Sequence, residues 1–188
     1  CFKILKTLLP KFFLNFFFMK KILYVLILSF SCHLFAQQLK IDEAKTTVSF
    51  LFLDNNVDGT LNDFKFMGNL DLNSIETSII SGTVASETID TSNWIRNRHL
   101  RNKYFKTDTF PFIRFKSTSI TFSEGSFFVQ GILTIKDISK DVSFNFTTKN
   151  NILELKTTIN ASDFDIFIHD EASRNKLTVK IFMPYTSE

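Results

Sequence analysis

Phe127-Phe128-Val129-Gln130-Gly131-Ile132-Leu133-Thr134-Ile135, then Lys136-Asp137, then Val142-Ser143-Phe144-Asn145-Phe146-Thr147-Thr148 is the stretch on which the fold turns. Apolar side chains recur at every second position along both runs. A strand puts successive side chains on opposite faces, so this period marks a sheet with one dry face and one wet face. Lys136-Asp137 reads as the turn between the two runs. The same period returns at 47–53, 64–72, 79–89, 113–122, 152–159 and 177–183. Turn clusters separate several of these runs: Asp54-Asn55-Asn56, Asn73-Ser74, Glu124-Gly125-Ser126 and Lys149-Asn150-Asn151. Short strands at near-regular, hairpin-length spacing predict an all-β antiparallel sandwich or barrel.

The dry set includes Phe50, Phe52, Phe115, Val129, Leu133, Phe144 and Phe146. The opposite set, with Ser49, Arg114, Lys116, Ser143, Asn145 and Lys156, is polar. A sheet closed on itself gathers the dry faces inside. Two interiors fit the pattern. One is a filled core; the other is a lumen wide enough for an apolar guest. Periodicity alone favours the filled core, because an aromatic strand face is usually just packed.

One stretch breaks the period. Asp90 to Phe105 reads as a helix, at about 92–103, with Thr91, Ser92 or Asn93 as N-cap and basic residues crowding its second half. Helical spacing puts Ile95, His99 and Leu100 on one face. Pro111 bars helix at Phe110. A second irregular segment, His169 to Lys176, reads as a long polar hairpin loop. His169-Asp170-Glu171 offers metal-capable side chains, but neighbours on an extended chain point apart.

The whole chain of 188 residues has 22 Lys+Arg, 19 Asp+Glu and net charge +3. Its first 36 residues hold five Lys, no acid and both cysteines; without them the balance is 17 basic against 19 acidic residues, net −2. A slightly acidic domain does not suit a phosphate backbone, which argues against nucleic acid as a partner. Residues 37–188 hold no thiol, and so no disulfide, Cys nucleophile or zinc-thiolate site. Lys20 and Lys21, the apolar run Ile22 to Phe35, and Ala36 before Gln37 have the layout of a secretory signal peptide at 19–36. The natural start is then expected at Met19, with 1–18 an upstream extension and 37–188 the working domain. This makes the domain exported, periplasmic or secreted. The alternative is a lipoprotein anchored through Cys32.

Four segments share a further likeness. They are Thr88-Ile89-Asp90-Thr91-Ser92-Asn93 with Arg96-Asn97-Arg98-His99-Leu100-Arg101; Tyr104-Phe105 with Phe110 to Thr118; Val129-Gln130-Gly131-Ile132-Leu133-Thr134-Ile135-Lys136-Asp137; and Val57-Asp58-Gly59-Thr60-Leu61 with Gly68. Together, and in their order along the chain, they resemble the YceI-like family. The resemblance implies a lipocalin-like antiparallel barrel of about eight strands with one short helix. It also implies an exported protein that binds a polyisoprenoid or other long-chain amphiphile in the barrel. On this reading Phe50, Phe52, Phe115, Val129, Leu133, Phe144 and Phe146 line the barrel. The basic run from Arg96 to Lys103 is either a solvated helix face or a collar for an anionic head group. Arg96, His99 and Arg101 are the candidate contacts in the second case, with packing over the barrel end as the other role for His99. Asn97 and Asp137 depart from the family's pattern, which has Asp and Gly there.

No nucleophile elbow, phosphate loop, zinc helix or dinucleotide fingerprint occurs, so the expectation is a protein without catalytic residues, metal or cofactor. The competing expectation is a structural or adhesion module with a solid core. Transient membrane contact fits a lipid carrier. Oligomeric state stays open, a homodimer included.

Overall fold

Lys136 and Asp137 both adopt left-handed backbone, with φ of 52° and 60°. Positive φ at both central residues marks the two-residue turn whose twist matches that of the strands it joins. Asp tolerates this conformation better than most side chains, so the departure from Gly at 137 leaves the hairpin intact. The computed structural model describes residues 39–124 and 126–187. The expected extension 1–18, the signal segment 19–36 and Cys32 lie outside the described residues.

Among the described residues ten strands follow in chain order: β1 (Leu39–Ile41), β2 (Thr47–Phe52), β3 (Val57–Leu61), β4 (Lys65–Phe66), β5 (Ser81–Ala85), β6 (Phe112–Ser123), β7 (Ser126–Ile135), β8 (Ile138–Lys149), β9 (Ile152–Asn160) and β10 (Lys176–Ser187). They form one antiparallel sheet in the order β3-β2-β10-β9-β8-β7-β6-β5-β4, with β1 added on β10. Backbone bonds bridge the two ends of the sheet through residues beside them. Thr60 of β3 and Asp90 exchange backbone hydrogen bonds of 2.8 and 3.0 Å, and the Ala85 N–H donates to the Asn62 carbonyl at 3.3 Å. Leu39 of β1 donates to the Leu70 carbonyl at 3.0 Å. The result is a lipocalin-like barrel whose seam is held by bridges rather than a full ladder.

The count exceeds the eight runs read from periodicity. Val57-Asp58-Gly59-Thr60-Leu61 pairs fully with β2 although Asp and Gly are poor strand formers. The run at 64–72 keeps β4 and isolated bridges, among them Asn69 to Ile79.

The helix, α1 (Trp94–His99), runs straight into a π-helical turn over Leu100–Phe105. Asn93 caps it by accepting the Arg96 N–H at 3.0 Å, and Lys106 ends it in left-handed backbone. The buried face of this helix is not the one that the spacing predicts. Ile95 and His99 are exposed, while Asn97 is buried and Leu100 turns inward.

Two apolar clusters fill the barrel. One gathers fully buried Leu70, Val129, Phe146, Leu153 and Met183. The other gathers Leu133, Ile135, Ala161, Phe164 and Ile166, with Tyr104 and Phe105 packed against it.

Candidate ligand-binding site

A cavity of about 150 Å³ lies where the two clusters meet, with wall residues drawn from both. Five of the residues expected to line the barrel stand in this wall: Phe50, Phe52, Phe115, Leu133 and Phe144. Val129 and Phe146 do not. They are buried in the first cluster, where the barrel is solid. Among the wall residues that sequence reasoning missed are Leu100 and Phe105 from the helical segment, and Ile166 and Ile168 from the β9–β10 connection. The latter had a signal, since Phe164, Ile166 and Ile168 alternate with Asp163, Asp165 and Phe167.

Three glycines explain how an interior so rich in Phe stays partly open. A Cβ on Gly59 would lie 2.3 Å from Cζ of Phe50, and one on Gly131 would lie 2.6 Å from Cζ of Phe115. A Cβ on Gly82 would lie 2.9 Å from Cε2 of Phe64. Each ring therefore rests on the bare backbone of a strand. With a side chain beneath it, the ring would have to rise toward the lumen, because strand side chains stand off the sheet. Phe115 in turn meets Phe144 edge-on, with centroids 5.0 Å apart.

The three expected head-group residues lie elsewhere, and none of them is in the cavity wall. Arg96 holds Thr91: its Nε donates to Oγ1 at 2.8 Å and an Nη to the carbonyl at 2.9 Å. Arg101 donates to the Asn97 carbonyl at 3.4 Å. His99 faces outward. Behind them sits Asn97, whose side-chain oxygen accepts from the Thr91 N–H and hydroxyl at 2.9 and 2.6 Å. Its nitrogen donates to the Asp90 carboxylate at 2.7 Å. That bond, with the Ser92 N–H, holds the Asp90 carboxyl below its ordinary range.

The β9–β10 connection is not a loose loop. Asn175 is fully buried and accepts from the N–H groups of Ile168 and His169 while donating to the carbonyls of His169 and Glu171. Arg174 grips Asp54 with two hydrogen bonds of 2.8 and 3.1 Å, and the His169 ring nitrogen lies 3.1 Å from the same carboxylate. This ties the connection to the β2–β3 hairpin across the helix-bearing end of the barrel. Arg174 thereby lowers the Asp54 pKa. His169, the candidate metal ligand of the sequence, is thus engaged with Asp54 and Asn55.

Comparison with known proteins agrees with this architecture. The family model described as the YceI-like domain matches residues 39–183. A UPF0312 protein of Staphylococcus aureus is 36% identical over 101 residues, 51% of this chain and 57% of that protein. The chain thus spans just over half the length of the curated relatives it matches. Among solved structures, BcnA of Burkholderia cenocepacia superposes with a TM-score of 0.68 at 19% identity, covering 77% of this chain and 98% of that one. A polyisoprenoid binding domain from Saccharophagus degradans superposes with a TM-score of 0.56 at 12% identity, covering 81% and 99%. At these identities the likeness is one of fold.

Proposed function

The chain belongs to the YceI-like domain family, and from that we propose that it is an exported, non-enzymatic carrier of a polyisoprenoid or other long-chain amphiphile. The observation that supports this most is the cavity wall, built from Phe, Leu, Ile and Val side chains of both clusters. A fold neighbour bears the description polyisoprenoid binding.

Exposing an alkyl chain to water costs about 0.8 kcal/mol per CH₂. Moving it from a bilayer into a Phe-lined wall exchanges one apolar medium for another, so the net change is small. The barrel then removes the aqueous barrier without trapping its cargo. An apolar void of about 150 Å³ admits a molecule the size of benzene. The cavity therefore seats the end of a chain. The remainder passes between Leu100 and Phe105 on one side and Ile166 and Ile168 on the other. The polar head stays at that mouth.

Native mass spectrometry after mild purification tests the reading. A co-purifying mass of several hundred daltons is expected, together with its loss in a folded Leu133→Arg variant. A bare chain mass from both proteins rejects the carrier and leaves the structural module.

A further inference from the structure

We propose that the outer face of α1 docks the barrel mouth onto an anionic lipid bilayer; the inference rests on the carrier reading and adds to it where cargo is exchanged. Three observations converge on this helix.

First, its exposed face is apolar where the helix begins. Trp94 is 73% and Ile95 50% exposed, although the same segment buries Asn97. Tryptophan has an apolar body and a polar N–H, which suits the boundary between acyl chains and head groups. Second, the charge is one-signed. From Trp94 to Lys106 there are five basic residues and no acid. Arg96 and Arg101 are turned inward onto Thr91 and Asn97. Arg98, Lys103 and Lys106 are exposed and form no ion pair among the described residues. Arg98 follows Trp94 by one turn, so cation and ring share a face. Third, the position is right. Leu100 and Phe105, on the same segment, line the cavity. In the β9–β10 connection, which bounds the proposed mouth, Phe167 is exposed between the wall residues Ile166 and Ile168. Asp170 and Glu171 follow Phe167, so that rim adds apolar contact while the attraction comes from the helix. A bilayer met by α1 would therefore lie against the opening through which a chain leaves.

Trp94 is the only tryptophan of the chain, so its fluorescence reports this face alone. The protein is titrated with vesicles of phosphatidylglycerol and phosphatidylcholine, and with phosphatidylcholine alone. The expected result is a blue shift with quenching by brominated acyl chains on the anionic vesicles. Apparent affinity should be about tenfold weaker on neutral vesicles or in high salt. Arg98→Glu with Lys103→Glu should abolish the shift. Emission that stays unshifted and unquenched on the anionic vesicles overturns the proposal and leaves this face to a protein partner. An equal response on both vesicle types also overturns it. Loading of a fluorescent fatty acid from cyclodextrin, with no membrane present, tests the cavity separately. Its failure rejects the carrier. Its persistence in the double variant that no longer meets vesicles separates docking from binding.

Discussion

Asn97 uses one buried amide to accept twice from Thr91 and donate once to Asp90. A carboxylate could accept from Thr91 equally well but would then face the Asp90 carboxylate at 2.7 Å. The departure from the family pattern therefore matches its neighbour, which the sequence showed only as two separate letters. Removing the amide strands the Thr91 N–H, so Asn97→Ala should lower unfolding free energy by about 1–3 kcal/mol, read by denaturant titration. Asn97→Asp should be destabilised at neutral pH and recover on acidification. Two facing carboxylates raise one folded-state pKa, so the variant's deficit is full above that raised value and disappears as pH falls to the unfolded range. A deficit that is flat with pH would show that the two groups do not meet. Gly131 makes the same point about neighbours. Its place in a motif was legible, but its reason, the Lys116 carbonyl and the Phe115 ring lying on it, needed the register between β6 and β7. Gly131→Ala should cost about 1–3 kcal/mol by overpacking and reduce uptake of a fluorescent fatty acid, because the displaced ring enters the lumen.

At the level of elements, periodicity found the long hairpins β6 to β9 and misread the short pieces. β3 went unseen because Asp58 and Gly59 interrupt its pattern, yet Gly59 is needed where it lies under Phe50, and the strand's Thr60 closes the seam on Asp90. The helix was placed within two residues, but its faces were not. Amphipathic spacing assumes that apolar residues turn inward, and Trp94 and Ile95 do not. The connection from β9 to β10 looked like solvated polar sequence because its order comes from buried Asn175 and from partners distant in the chain, among them the pair Asp54 and Arg174. That pair predicts a pH response. The folded-state pKa of Asp54 is lowered by the Arg174 hydrogen bond. Its contribution is therefore present above the unfolded carboxylate range and lost as pH falls through the lowered value. The amide-exchange protection factor across 166–175, taken against the intrinsic rate at each pH, should fall on acidification, and Asp54→Asn should show the low protection already at neutral pH. Equal protection in the variant and the parent would mean that the segment is ordered without the Asp54–Arg174 pair.

Across the whole molecule the greasy faces do two jobs that the alternating pattern cannot separate. Val129 and Leu133 sit four residues apart on one face of β7, yet the first is sealed in the solid cluster and the second borders the void. What distinguishes them is the curl of the sheet and the contents of each end, set by contacts far apart in the chain. The Leu39–Leu70 seam and fully buried Leu153 lie with the solid half, while the helix and the Ile166–Ile168 segment bound the open one. The division makes stability and loading separable. Leu153→Ala deletes buried volume away from the cavity wall and should cost about 2–5 kcal/mol while the protein still takes up fatty acid. Leu133→Phe fills part of the void. It should hold or raise the melting temperature, as cavity-filling changes commonly add about 0.5–2 kcal/mol, while uptake falls. An apolar guest that binds only the folded state raises the melting temperature of the parent by mass action, and the Leu133→Phe protein should lose that increment. If both variants instead lose uptake in proportion to their loss of stability, the interior behaves as one continuous core and the void has no separate role.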